Sequence, residues 1–403
     1  MKRRAFLNGG MSAFATLSLG GLPNTKPLAK GLRDAVEHHE KILVVFELSG
    51  GNDGLNSVVP WGDDTYYKLR PTVGLKPNEL LKLDDHFGFN PGMIGMHRLW
   101  QDGKLAVVHG CGYERPSFSH FTSMAYWHTG SPNSGDEYGW YGRLADHMAP
   151  SRTPNLLVNV DTSQSLAVKS RIHTPVVFDE PERFQRKVLE QEKSIIEAVD
   201  SRPTGNVTRD FLNSVSLGAN QASKLVRQAW NKYETPIDYG LAPNQLPKIA
   251  ACIANNFPAK LYYVAFRNNA FDTHVQQPNL HRRLLSYASD AVAGFIADMD
   301  RLGMGDKVVV MMFSEFGRRA GENTNLGTDH GTANTMFLAG NSVAGGHYGQ
   351  LPDLTELDDT DNLLFTTDFR RVYASVIDGW LKIGKSDKVL KGKFETFPIF
   401  ADS

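Results

Sequence analysis

The chain has 403 residues, 41% of them hydrophobic and 10% aromatic, enough to bury one large core or two smaller ones. Its 43 Lys and Arg against 44 Asp and Glu leave no basic excess, which argues against a nucleic-acid partner. Only Cys111 and Cys252 occur, which excludes a disulfide framework; whether those two pair is left open by the sequence.

The chain opens with MKRRAFLNGGMSAFATLSLGGL, where Lys2, Arg3 and Arg4 precede a short apolar stretch, and small residues follow near Pro27-Leu28-Ala29. This is signal-peptide grammar, with residues 1–29 removed and 30–403 as the mature chain. The weakly apolar stretch from about Met11 to Leu22 is broken by Ser and Gly and falls short of the roughly 20 residues that cross a bilayer, so no stable membrane span is expected. Arg3-Arg4-Ala5-Phe6-Leu7 resembles the twin-arginine signature, whose export machinery carries folded proteins, often with a cofactor loaded; a basic N-terminus alone would fit ordinary secretion. The expected location is the bacterial periplasm or exterior. Residues 1–29 hold four basic and no acidic side chains, so the mature chain carries a net charge of −5.

Six short apolar runs follow: KILVVFEL at 41–48, KLAVVHG at 104–110, NLLVNV at 155–160, KLYYVAF at 260–266, KVVVMMF at 307–313 and TMFLAG at 335–340. Rich in Val, Leu and Phe without polar alternation, they read as parallel strands buried on both faces. Helical patterns over 119–128, 182–200, 206–232, 244–255, 279–302 and 368–382 alternate with them. The prediction is a three-layer α/β/α domain with a mostly parallel central sheet, which gathers ligands at the carboxyl ends of its strands. From about Pro181 to Asn256 the chain is mostly helical without strand signals, which fits an inserted helical cap over 181–256 or ordinary crossover helices.

Five polar clusters adjoin these strands. Ser49-Gly50-Gly51-Asn52-Asp53-Gly54 follows the first: the glycines permit a sharp turn close to a ligand, and Asp53 offers a hard oxygen to a divalent cation, though a plain turn has the same composition. Ser117-Phe118-Ser119-His120-Phe121 opens a helix, so Ser119 is either a cap or a nucleophile beside free backbone N–H groups, with Ser117 and His120 next to it. Phe271-Asp272-Thr273-His274 sets a carboxylate and an imidazole two residues apart, able to face one ion from an extended segment. Ser314-Glu315-Phe316-Gly317-Arg318 ends the strongest strand, where a buried charge needs a partner or a metal: Glu315 as ligand and Arg318 as oxyanion clamp, or the two as a salt bridge. In Thr328-Asp329-His330-Gly331-Thr332, Asp329 either ligates or orients the His330 ring. Together the clusters put carboxylates and imidazoles at the rim of one sheet, a set suited to one or two Zn²⁺, Mn²⁺ or Mg²⁺ ions.

In order and spacing, SGGNDGLNSVVP from Ser49, YYKLRP from Tyr66, SHF from Ser119, FDTH from Phe271, SEFGR from Ser314, TDHG from Thr328 and TTDFR from Thr366 resemble the bacterial DUF1501 family over nearly the whole mature chain. That family is a member of the alkaline phosphatase and sulfatase superfamily. The resemblance implies hydrolysis or transfer of a phosphate or sulfate ester. Asp53 would be an early metal carboxylate, Ser119 or Ser117 the nucleophile, Asp272 and His274 ligands to one ion, Glu315 the counterpart of an Asp-His pair, and His330 a late ligand. Phe316 stands where an imidazole is expected, which favours a single ion. Cys111-Gly112-Tyr113-Glu114-Arg115 departs from the sulfatase motif by carrying Tyr113 where proline belongs. The alternative is a catalytically silent exported binding or assembly protein that retains the fold. Oligomeric state is not legible.

Overall fold

The structure, a computed structural model, describes residues 40–184, 204–242 and 245–400. The expected signal peptide lies outside them, as does most of the helix expected over 182–200. The chain divides into Met1–Lys41 and a compact unit Ile42–Ser403.

In chain order the compact unit contains β1 (Ile42–Leu48), α1 (Gly54–Ser57), β2 (Val58–Val59), α2 (Asp64–Leu69), β3 (Leu81–Lys82), β4 (Gly88–Phe89), α3 (Ile94–Gln101) and β5 (Leu105–Gly112). Next come α4 (His120–Thr129), α5 (Trp140–Met148), β6 (Leu157–Val160), β7 (Val176–Phe178), α6 (Val207–Lys232), α7 (Gln245–Ala254), β8 (Leu261–Phe266) and α8 (Gln277–Arg301). The last are β9 (Val308–Phe313), β10 (Asn334–Ala339), β11 (Gly346–Tyr348), β12 (Thr367–Asp368), α9 (Arg370–Ala374) and α10 (Ser386–Val389).

The central sheet runs β11-β5-β10-β9-β1-β8-β6-β7, with β12 beside β5. All six apolar runs are strands of it. Every neighbouring pair is parallel except those made by β10, which is antiparallel to both β5 and β9 and so departs from the parallel strand expected at 335–340. A small antiparallel sheet, β2-β4-β3, lies outside it.

Strand β1 shows why both faces are covered. Its seven residues are all buried: Ile42, Val44 and Phe46 join the core on one side, Leu43 and Val45 the core on the other. The first core is completed by α3, α6, α7 and α8 through Met96, Val226, Ile249 and Phe295; the second by α4, α5 and α9 through Trp127, Trp140 and Tyr373. Each such side chain contributes roughly 1.5–3 kcal/mol on burial. In the described part of 181–256, Val226 and Ile249 pack into the first core. Cys111 and Cys252 are free, buried thiols in opposite cores, so they cannot pair.

Candidate metal centre

β1, β5, β8 and β9 all point the same way, so the segments that follow them gather at one edge of the sheet. Because β10 runs the opposite way, the segment that precedes it, 328–332, reaches that same edge. The isolated bridge between Arg318 and His330 fixes that segment to the end of β9.

Four side chains meet there. His274 Nε2 is 2.9 Å from Asp272 Oδ1 and 2.9 Å from His330 Nε2. His330 Nε2 is 3.1 Å from Asp272 Oδ1, and His120 Nε2 is 3.3 Å from Asp272 Oδ2. Among the described residues, His120, Asp272 and His330 are the group of three whose ligand atoms all lie within 4.8 Å of one another.

The other nitrogen of each ring decides the chemistry. His120 Nδ1 lies 2.8 Å from Glu315 Oε1, His274 Nδ1 3.0 Å from Asp329 Oδ1, and His330 Nδ1 2.7 Å from the carbonyl oxygen of Phe118. Carboxylates and carbonyls only accept, so each ring, once neutral, donates through Nδ1 and can offer its Nε2 lone pair to an ion at the centre. Three inward lone pairs beside a carboxylate repel one another unless a cation or shared proton lies between them. His120 Nε2 is accordingly buried with no hydrogen-bond partner. A ring nitrogen toward a metal and the opposite nitrogen on a carboxylate or carbonyl is how metal-binding histidines are held. Tetrahedral zinc with bonds of about 2.0–2.1 Å sets its ligand atoms roughly 3.3 Å apart, close to the spacings here. His120, Asp272 and His330 fit such an ion, with His274 alongside.

Burial pushes the Asp272 carboxyl up, but the bonds from Arg318 and His330 and the charges of Arg318 and His274 outweigh it and hold it at about 2. Burial lowers His120, yet Glu315 and Asp272 more than offset this and raise it. For His330 burial prevails and the ring is driven toward its neutral form, the form a metal needs.

Several expected ligands stand elsewhere. Asp53 is fully buried and consumed: Arg70 Nη1 donates to both its oxygens at 2.9 and 2.7 Å, Gln277 Nε2 donates at 2.5 Å, and the backbone N–H of Asn56 is capped at 3.2 Å. It is therefore a strut, and Arg70, in the YYKLRP motif, is a partner that the sequence reading missed. Glu315 pairs with His120 and not with Arg318, and its carboxylate also accepts from the backbone N–H groups of Gly50 and Gly51 at 2.9 and 3.0 Å. Both glycines have positive φ, and a Cβ on Gly50 would come within 2.5 Å of the Asp272 backbone nitrogen, so the loop closes on the protein's own carboxylate. Arg318 is fully buried and donates to the carbonyls of Gly51, Thr328, Gly50 and Phe271 and to Asp272, leaving its guanidinium engaged instead of free for an oxyanion. Asp329 orients His274, not His330.

Ser119 caps α4, accepting from the Thr122 backbone N–H at 3.4 Å, one residue before His120; Ser117 accepts from the Ser119 backbone N–H at 3.3 Å. Phe316 lies against the cluster, its ring 4.9 Å from His120 and 4.6 Å from His330, so an apolar wall stands where a second imidazole was expected. Cys111 is fully buried inside β5, and burial drives its thiol up, out of the reactive range.

The fold is thus a three-layer α/β/α domain with a histidine-rich cluster at the carboxyl edge of its sheet. A family model described as "Protein of unknown function (DUF1501)" matches residues 256–394, a stretch that carries Asp272, His274, Glu315, Arg318, Asp329 and His330 but not Asp53 or His120. No curated protein matches the sequence. Among solved structures, the C-terminal periplasmic domain of EcEptC from Escherichia coli in complex with Zn is 11% identical, with a TM-score of 0.35 over 75% of this chain and 73% of that one. The PsFucS1 sulfatase from Pseudoalteromonas sp. is 11% identical, with a TM-score of 0.39 over 95% and 77%. A protein in the alkaline phosphatase superfamily from Vibrio parahaemolyticus is 8% identical, with a TM-score of 0.33 over 76% and 62%.

Proposed function

We propose that the protein is an exported hydrolase or transferase of phosphate or sulfate esters that works with one divalent metal ion, zinc by the chemistry of its donors. The observation that carries this reading is the set of three inward Nε2 atoms, each fixed by an acceptor on the opposite nitrogen, around the Asp272 carboxylate. His120, Asp272, His274 and His330 would hold the ion. When bound, it supplies Lewis-acid stabilisation to an ester oxygen or to a serine alkoxide.

The remaining residues do positional work. Glu315 and Asp329 fix two rings and make them better donors, the Phe118 carbonyl fixes the third, and Arg318 anchors Asp272 while tying three loops together. Ser119 is the candidate nucleophile: its side chain is exposed at the N-terminus of α4, where free N–H groups favour an anion and the next residue is a ligand. The Phe316 wall supports a single ion instead of two. Elemental analysis of the purified chain, with turnover of nitrophenyl phosphate and nitrophenyl sulfate, tests the reading. One equivalent of metal, abolished together with turnover in His330→Ala, is expected; no metal and no turnover after zinc supplementation would defeat it.

A second reading has one observation in its favour: the Ser119 hydroxyl serves as a helix cap, and among the described residues no base is bonded to it. A metal-loaded but inert protein, whose Ser119→Ala variant differs only in helix stability, would be a silent exported binding or assembly module. The twin-arginine route is part of the proposal; among the described residues no helix is long and apolar enough to cross a membrane.

A further inference from the structure

The three segments that carry the cluster's histidines also carry exposed apolar side chains. Phe118, whose carbonyl holds His330, is 41% exposed; Phe121, next to His120, is 87% exposed; Val275, next to His274, is 57% exposed. Leu326 is 36% exposed and its carbonyl accepts from the Gln277 backbone N–H at 2.9 Å, which sets it beside the Val275 segment. Single exposed apolar residues are ordinary on any surface, but these four all sit on the segments that bring the histidines together, and we read them as a rim. Leu326 at φ 58°, and Gln276 beside Val275 at φ 50°, occupy the left-handed region that side chains other than glycine avoid.

The geometry points to a substrate with an apolar body: an aryl or long-chain alkyl ester of phosphate or sulfate, its charged head at the histidine cluster and its alcohol portion against Phe118, Phe121, Val275 and Leu326. This rests on the hydrolase reading above and adds the leaving group to it. A small polar ester would leave the rim hydrated and gain nothing from it.

The test uses non-hydrolysable heads that differ only in their apolar part. Calorimetric titration of the zinc-loaded full chain with phenylphosphonate and octylphosphonate should give dissociation constants at least about tenfold below that of methylphosphonate. Phe121→Ser should shrink the ratio to about two or less with zinc content unchanged, whereas Leu241→Ser, which removes an equally exposed side chain elsewhere, should leave it intact. Equal affinities, or a ratio unmoved by Phe121→Ser, overturn the inference alone. A chain that takes up no zinc, or binds none of the phosphonates, overturns the hydrolase reading and the inference with it. Sedimentation with phosphatidylcholine vesicles is the remaining arm: Phe121-dependent capture without discrimination among phosphonates assigns the rim to a membrane surface and overturns the substrate proposal.

Discussion

Two aspartates at the carboxyl edge of the sheet are each joined to a fully buried arginine, and they end in opposite states. Asp53 and Arg70 close on each other; both are buried, and each Asp53 oxygen is taken. Asp272 bonds Arg318 through Oδ1 but stays 30% exposed and turns Oδ2 to His120. The same ion pair is thus a sealed strut in one place and a half-open anchor in the other. What separates them is the neighbourhood: amide and backbone donors complete Asp53, whereas the Nε2 atoms of three histidines surround Asp272.

The strongest way to break this contrast is Arg70→Ala. It strands a buried carboxylate and should cost about 3–5 kcal/mol of unfolding free energy in a urea titration, with no specific effect on metal stoichiometry. Glu315→Gln attacks the other side. Exchanging the carboxylate behind His120 for an amide should weaken metal affinity by about 10–100-fold in competition with a chelator.

A second histidine group sharpens the contrast through pH. His109 bonds His347 at 2.8 Å, and His347 pairs with Asp84, a linear chain in place of a convergent cluster. Burial first, then the His347 charge, depress His109 from 6.5 to about 3. The unfolded chain therefore binds the proton that the folded chain refuses between those values. Its contribution is intact above pH 6.5 and declines as the pH falls toward 3. Between pH 7 and 5 it should remove about 2 kcal/mol, a slope that His109→Leu abolishes. The smallest effect is expected at the rim: Phe121→Ser should change stability by no more than about 0.5 kcal/mol, which thermal unfolding can check.

Much of the frame could be read from the sequence because buried runs such as KVVVMMF announce strands by composition alone. Direction could not be read. A strand buried on both faces carries no mark of its sense, so β10 was expected to be parallel, which would have sent Asp329 and His330 to the far edge. Its reversal is what makes the cluster possible. Asp272, His274 and His330 were recognisable as ligand types beside strands. His120 was placed with the nucleophile, since its ring is aimed by Glu315, 195 residues away. Asp53 looked like a ligand because its partner Arg70, 17 residues on, belongs to a different element. Short amphipathic helices α2, α3 and α5 were missed for a related reason: in so few turns the helical period hardly repeats.

The Glu315 carboxylate has a further consequence. It lies in the backbone cradle of Gly50 and Gly51, a receptor of the kind that elsewhere holds a free anion, and here the occupant is covalently part of the chain. Truncating it as Glu315→Ala would empty that cradle without disturbing either glycine, so formate or acetate from solution could settle there and stand in for the missing group. The edge of the sheet would then become open to chemical repair, with the fit of a borrowed carboxylate reporting how tightly the end of β1 dictates where His120 points.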